Sequence, residues 1–403
     1  RYDAKSFRII VRKTYFLRFF LLYFSNFCYN KENGDDNMFG NTFDNVIRIV
    51  LTTFIFSAAI MPVMKRIAHH IGAVDVPRST EGNRHIHNKP IPKLGGLGIF
   101  LGFLFGYMCF GVHSLQMNSI LIGSFIIILT GIIDDIHDLR ASYKLIGQLA
   151  AASVIVFYGG ILLDSITVFG LPEISFGIWA YPITIFFIIA CVNIINLIDG
   201  LDGLSGGISS IFYLTAGIIC IYQGRTNSLE MLLTFIMLGS TLGFLLHNFY
   251  PAKIFAGDCS QFMGFIIAII SLLGFKGMAF SSIFVPLLIL AIPTLDTLFA
   301  IIRRLLQHRP IFSPDKQHLH HQFLKMKFSQ RKTVLIIYFI DILFALASIF
   351  YVLKDPVAGR VIYIVLALFV LWLVTCTDII TDKRPIKFSE VKEKVRHKSR
   401  KKR

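Results

Sequence analysis

The sequence predicts an all-α, polytopic integral membrane protein with about eleven transmembrane helices. Of its 403 residues 55% are apolar and 16% charged, well short of the ~25% charged residues of soluble domains. Apolar runs close to the ~20 residues that span a bilayer recur along the chain. Lys and Arg also gather on one side of the alternating loops, as they do in membrane proteins.

The runs fall at about 45–64, 94–112, 119–133, 145–160, 177–197, 205–223, 229–247, 260–275, 280–302, 333–353 and 360–380. With the loop after the first run placed inside, the inner segments 65–93, 134–144, 198–204, 248–259, 303–332 and 382–403 hold 28 basic residues. The outer loops between spans hold four: Arg225, Lys276, Lys354 and Arg360. This bias predicts an N-terminus outside and a C-terminus in the cytoplasm. The outer segment 161–176, with Leu171-Pro172, reads as a short hairpin or surface strand.

The expected organisation is an N-terminal extension over 1–43, a transmembrane domain over 44–381 and a basic cytoplasmic tail over 382–403. The extension opens on Arg1, and no small-residue cleavage site follows an apolar region as in a signal peptide. It reads most simply as sequence upstream of a translation start at Met38, with an extra interfacial helix as the alternative. The net charge of +16 would suit nucleic acid, but half of it sits in the tail over 382–403. Such a tail beyond an apolar run is an anchor to anionic headgroups and a topology signal, so no nucleic-acid partner is expected. The six cysteines form no CxxC pair, which argues against a zinc site or disulfide framework.

The polar clusters fall at the inner ends of the runs. Asp134, Asp135 and Asp138 close the third run after Gly131. Three carboxylates so close repel one another and any phosphate, so the cluster makes sense with a divalent cation or cationic partners. Magnesium takes oxygen ligands, often one or two carboxylates plus substrate phosphates. An EF-hand is excluded, because the twelfth position counted from Asp134 is Leu145 rather than Glu. The plainer reading is helix-end charge at a lipid interface.

Asn193, Asn196, Asp199 and Asp202, with Gly200 and Gly203, close the fifth run. The spacing of three puts Asn193, Asn196 and Asp199 on nearly one helix face, and polar groups at the mouth of an apolar span are costly unless satisfied. A glycine-capped helix end would explain one glycine but not these four residues. Gly257-Asp258-Cys259-Ser260 precedes the eighth run. Alone, Asp258 reads equally as an N-cap; beside two other acidic sites it becomes a candidate metal ligand.

The largest inner loop carries Arg309, Asp315, His318, His320 and His321. Zinc would need a Cys or Glu-x-x-His partner; arginine with histidine better suits a phosphate or nucleotide. The first inner loop supplies Asp75, Arg84, His87 and Lys93, rigid prolines and a Gly95-Gly96 helix entry. Lys144 and Gln148 open the fourth run, within reach of a lipid phosphate. A transporter would instead place its ionisable residues near the bilayer midplane.

This ordered set resembles the bacterial polyprenyl-phosphate N-acetylhexosamine-1-phosphate transferase family over about residues 45–380. Five motifs carry the resemblance: Asp75/Arg84/His87, Asp134-Asp135-x-x-Asp138, Asn193 to Asp202, Gly257-Asp258, and Ser313-Pro314-Asp315-x-x-His318-x-His320-His321. The last resembles the branch taking UDP-GlcNAc or a close relative. Two departures stand out. Gly257-Asp258-Cys259-Ser260-Gln261 is one glycine short of the usual Gly-Asp-x-Gly-Ser, and two extra residues separate Pro77 from Arg84.

The resemblance implies transfer of GlcNAc-1-phosphate, or a related HexNAc-1-phosphate, from a UDP-sugar to undecaprenyl phosphate with release of UMP. The alternatives are a UDP-MurNAc-pentapeptide phosphotransferase and, in another class, a transporter. It implies a catalytic set of Asp134, Asp135, Asp138, Asp199 and Asp202, and magnesium, replaceable by manganese, on Asp258 with Asp135 as second candidate. Substrate contacts would come from Asp75, Arg84, His87, Lys93, Lys144, Asn193, Asn196, Arg309, Asp315, His318, His320 and His321. The setting would be the bacterial cytoplasmic membrane with the site facing inward, and a homodimer is compatible with it.

Overall fold

A computed structural model describes residues 42–75, 90–166, 174–274, 290–306, 323–324, 326–353 and short helical pieces within 361–369. Arg1–Arg48 and Ile49–Arg403 are separate compact units; the packing and the site described below belong to the second. The helices are α1 (Thr42–Ile71), α2 (Gly95–Phe110), α3 (Leu115–His137), α4 (Ala141–Ser153), α5 (Ala180–Ile198), α6 (Leu204–Tyr222), α7 (Leu229–Asn248), α8 (Gln261–Gly274), α9 (Ala291–Leu306) and α10 (Gln330–Leu353). Among the described residues eight helical segments are long and apolar enough to cross a membrane. The chain is an all-α, polytopic membrane protein.

The apolar runs locate the helices but misplace several ends. The third run was expected to stop at 133, yet α3 continues to His137, because Asp134 and Asp135 are buried inside the helix with partners of their own. α4 begins at Ala141, not 145, so Lys144 lies within it, and a π-helical turn over Val154–Tyr158 extends it. α9 runs beyond the expected end at 302 and takes in Arg303 and Arg304. Much of the expected 360–380 span lies outside the described residues.

Hydroxyl caps set two of the helix starts. Ser114 accepts from the Met117 N–H to begin α3, and Ser228 accepts from the Met231 N–H to begin α7. The outer segment forms the expected hairpin: β3 (Ser165–Ile166) pairs antiparallel with β4 (Ile174–Ser175). A second antiparallel pair, β1 (Val74–Asp75) with β2 (Ile91–Pro92), was not anticipated.

α8 lies at the centre and is buried along nearly its whole length, with α3, α5, α6 and α7 around it. Phe262 packs edge-on to Phe100 and Phe103, with ring centroids 5.3 and 5.5 Å away. One end of this bundle gathers the polar helix ends. There the Phe255 N–H donates to the Pro92 carbonyl (2.8 Å), Gly95 N–H to Phe255 (2.8 Å) and Gly96 N–H to Ala256 (3.0 Å). This ladder ties the strand before α2 to the loop before α8. Asp341 lies away from the polar ends: it sits mid-way along α10, fully buried, with no hydrogen-bond partner for either carboxylate oxygen among the described residues.

Candidate active site

The site forms where the C-termini of α3 and α5 meet the N-terminus of α4 and the 3₁₀ turn Gly257–Ser260. Asp135, buried in the last turns of α3, accepts the Asp258 backbone N–H on both carboxylate oxygens, each at 3.1 Å. Its neighbour Asp134 accepts the Leu139 N–H at 2.8 Å, which holds the α3 terminus, and also meets the Lys144 ammonium. Lys144 reaches the Asp258 carboxylate at 3.4 Å, and Asn196 donates to the same oxygen at 3.3 Å and to the Ser260 hydroxyl at 3.1 Å. The Asp258 side chain therefore points into the cluster and does not cap α8.

Below this cluster runs an amide network. Asn193 donates to the Ile189 carbonyl and to Gln148, both at 2.8 Å, and Gln148 donates to Gln261 at 2.9 Å. The network joins α4, α5 and α8. Asn193 and Asn196 share a face as the spacing of three requires, but only Asn196 touches the acidic cluster.

Asp199, just past α5, takes a hydrogen bond from the Ser205 hydroxyl. Burial pushes its carboxyl from the ordinary 3.8 up to about 7; the Ser205 bond lowers it, Asp258 and Asp202 raise it and Lys93 lowers it. Lys93 lies 3.9 Å from Asp75, so the β1–β2 pair brings this ion pair to the edge of the site. Asp202 does something else. Buried at 1% exposure, it accepts the Ala252 N–H at 2.8 Å. Asn248 accepts from Gly203 N–H and donates to the Ile254 carbonyl, both at 2.9 Å. Together these bonds fasten the α5–α6 turn to the loop after α7. Asp138 is the left-handed C-cap of α3, exposed, with its N–H on the Asp134 carbonyl. Arg84, His87, Arg309, Asp315, His318, His320 and His321 lie outside the described residues.

Residues 117–275 match glycosyl transferase family 4. The chain is 40% identical over 349 residues to a protein of Bacillus subtilis (strain 168) named "Probable undecaprenyl-phosphate N-acetylglucosaminyl 1-phosphate transferase", covering 84% of this chain and 95% of that one. The chain belongs to glycosyl transferase family 4. It is also 33% identical over 309 residues to the "Decaprenyl-phosphate N-acetylglucosaminephosphotransferase" of Mycobacterium leprae (strain TN), covering 68% and 75% of the two chains. To the "Undecaprenyl-phosphate alpha-N-acetylglucosaminyl 1-phosphate transferase" of Salmonella typhi it is 29% identical over 300 residues, covering 72% and 79%. The family match contains Asp134, Asp135, Lys144, Asn196, Asp199 and Asp258, the residues that the fold brings to one end of the bundle.

The donor set of this family 4 site suits a hard divalent cation. Among the described residues, Asp134, Asp135, Asp199 and Asp258 outnumber the two ammonium groups facing them, Lys93 and Lys144. Among the described residues no three His, Cys, Asp or Glu side chains are already spaced around a metal. Magnesium is commonly held by one or two carboxylates with substrate phosphates completing the shell, a role that Asp258 and Asp135 could fill. Ser205, Ser260 and Gln261 were not anticipated as site residues. Ser260 and Gln261 follow Asp258 within one helical turn; nothing local marks Ser205.

Proposed function

We propose that this chain transfers N-acetylglucosamine 1-phosphate, or a related HexNAc-1-phosphate, from a UDP-sugar to undecaprenyl phosphate and releases UMP. The observation that carries this is the convergence of Asp134, Asp135, Lys144, Asn196 and Asp258 at one end of a membrane bundle, in a chain 40% identical to a protein named for that transfer. Lys and Arg gather on the loops at that end, which supports a cytoplasmic site in the bacterial inner membrane. A cytosolic nucleotide and a membrane lipid can meet only at such an interface.

Both reactants are anions, and bringing them together is the main barrier to overcome. Magnesium, when bound, would neutralise charge on the diphosphate as the UMP leaving group departs. Asp258 is its first-choice ligand, with Asp135 second. Lys144 faces the site as a cation and would draw in the lipid phosphate. Asp134, fixed by the Leu139 N–H, orients Lys144. Asn196 holds the Asp258 carboxylate on its open side. Asp202 acts on architecture, through Ala252, and Asn193 acts through Gln148.

The test is to incubate membranes holding the protein with undecaprenyl phosphate and a panel of UDP-sugars, identifying the lipid product by mass. A GlcNAc-diphospholipid formed together with UMP is expected. A product only from UDP-MurNAc-pentapeptide would move the chain to the peptidoglycan branch, and solute flux without UMP would make it a transporter.

A further inference from the structure

The turn that carries Asp258 begins with a glycine and has glycines from two helices pressed against it. Gly257 itself has φ +69°, and a side chain there would run into the Asp135 carboxylate and the Lys93 carbonyl. Cys259, two residues on, is gripped from both sides. A Cβ on Gly96, in the first turn of α2, would lie 2.5 Å from the Cys259 carbonyl carbon and Cβ. A Cβ on Gly131, in α3, would lie 2.9 Å from the Cys259 nitrogen and 3.0 Å from the Asp258 carbonyl carbon. Cys259 is fully buried between them.

Apart from the Cys259 Cβ, the contacts are backbone against backbone, with no flexible side chain to absorb a change. The Gly96 N–H also bonds to the Ala256 carbonyl at 3.0 Å, which fixes the same turn from one end. On the other side, Gly131 precedes Asp134 and Asp135 by one helical turn. The stretch of α3 that carries Asp135 thus also sets how closely the Asp258 turn can approach it.

We infer that Gly96 and Gly131 are positioning residues that act through Cys259 to set the Asp258 carboxylate against Asp135 and thereby tune the site for magnesium. This rests on the reading of Asp258 as a metal ligand given above. It also accounts for the missing glycine of the Gly-Asp-x-Gly-Ser pattern. Close approach is secured by glycines on the facing helices, so position 260 can carry the serine that binds Asn196.

The two positions give a graded probe. Gly131→Ala asks the turn to move by a few tenths of an ångström, and Gly96→Ala asks for more. Magnesium demands near-ideal octahedral geometry, whereas larger cations tolerate distortion. Cation binding is read without substrate, from the rise in melting temperature as magnesium or manganese is added to the detergent-solubilised protein. Gly131→Ala is expected to weaken magnesium binding by roughly tenfold while weakening manganese less, and to raise the ratio of manganese- to magnesium-supported UMP release.

Gly217→Ala, whose Cβ would meet the Phe235 ring at 2.6 Å between α6 and α7, should lower the melting temperature and leave cation preference alone. Should Gly96→Ala fail to fold, Cys259→Gly loosens the same contact from the other side and should shift cation preference likewise. A Gly131→Ala protein with wild-type preference for magnesium overturns the inference while the transferase reading stands. A wild-type protein that binds no divalent cation and needs none overturns both.

Discussion

The backbone N–H of Asp258 donates to both carboxylate oxygens of Asp135, at 3.1 Å each, although the two residues lie on different helical segments of the chain. One acid thus orders the turn that presents the other. The arrangement concentrates negative charge at a helix end, where Lys144 is placed to offset it.

Asp135→Asn keeps the shape and one acceptor but removes the charge. The turn should stay folded, with a melting temperature close to wild type, while UMP release falls on the order of 10²-fold or more, as expected when a charged group at the reacting centre is neutralised. Near-normal turnover would show that Asp135 only fastens the turn.

Lys144 occupies the place where a second cation would be repelled. Lys144→Met should lower the half-saturating magnesium concentration by at least roughly fivefold, the effect of ~1 kcal/mol of lost like-charge repulsion. It should also raise the KM for lipid phosphate. Magnesium titration of UMP release reads the first, and lipid titration the second. A rise in the magnesium requirement would contradict this placement.

Asp199 gives a pH dependence whose sign is fixed. Its carboxyl titrates at about 7 in the fold against 3.8 ordinarily, so between those values the folded protein holds a proton that the unfolded chain has released. Stability from this group is greatest below about 3.8 and is lost as pH rises towards 7. In protein treated with EDTA, the melting temperature should fall between about pH 5 and pH 7, and Asp199→Asn should flatten that part of the curve. A profile identical in wild type and variant would remove Asp199 as its cause.

Asp202 separates architecture from chemistry. Asp202→Ala leaves the part-buried Ala252 N–H without its acceptor and should cost about 1 kcal/mol of stability. Asp202→Asn retains an acceptor oxygen and should keep both melting temperature and most activity. If the Asn variant melts normally yet releases no UMP, Asp202 belongs among the reacting groups after all.

Much of the fold was legible in the sequence because apolar runs of spanning length report directly on the membrane. Helix ends were less so: a hydropathy reading stops at the first charge, whereas α3 carries Asp134 and Asp135 inside because each finds a partner distant in the chain or beyond the helix. The local half of the site, Asp134 with Asp135 and Lys144, could be read from neighbouring motifs. The bond from Asp258 to Asp135 and that from Ala252 to Asp202 could not, since no local pattern encodes a contact across more than forty residues. Asn193 and Asn196 look alike in spacing, yet one joins the amide network and the other meets Asp258, a difference set by which helix lies opposite. Asp341 was not singled out at all, because a lone carboxylate in an apolar run has no motif around it.

The central claim is tested most directly by UMP release from UDP-GlcNAc, with undecaprenyl phosphate and magnesium, in wild type and Asp258→Ala prepared identically. The account predicts UMP in step with lipid-linked GlcNAc in the wild type, loss of both with EDTA, and turnover in Asp258→Ala lower on the order of 10²-fold or more. Near-normal turnover in Asp258→Ala, or a wild type that forms no UMP, would contradict it.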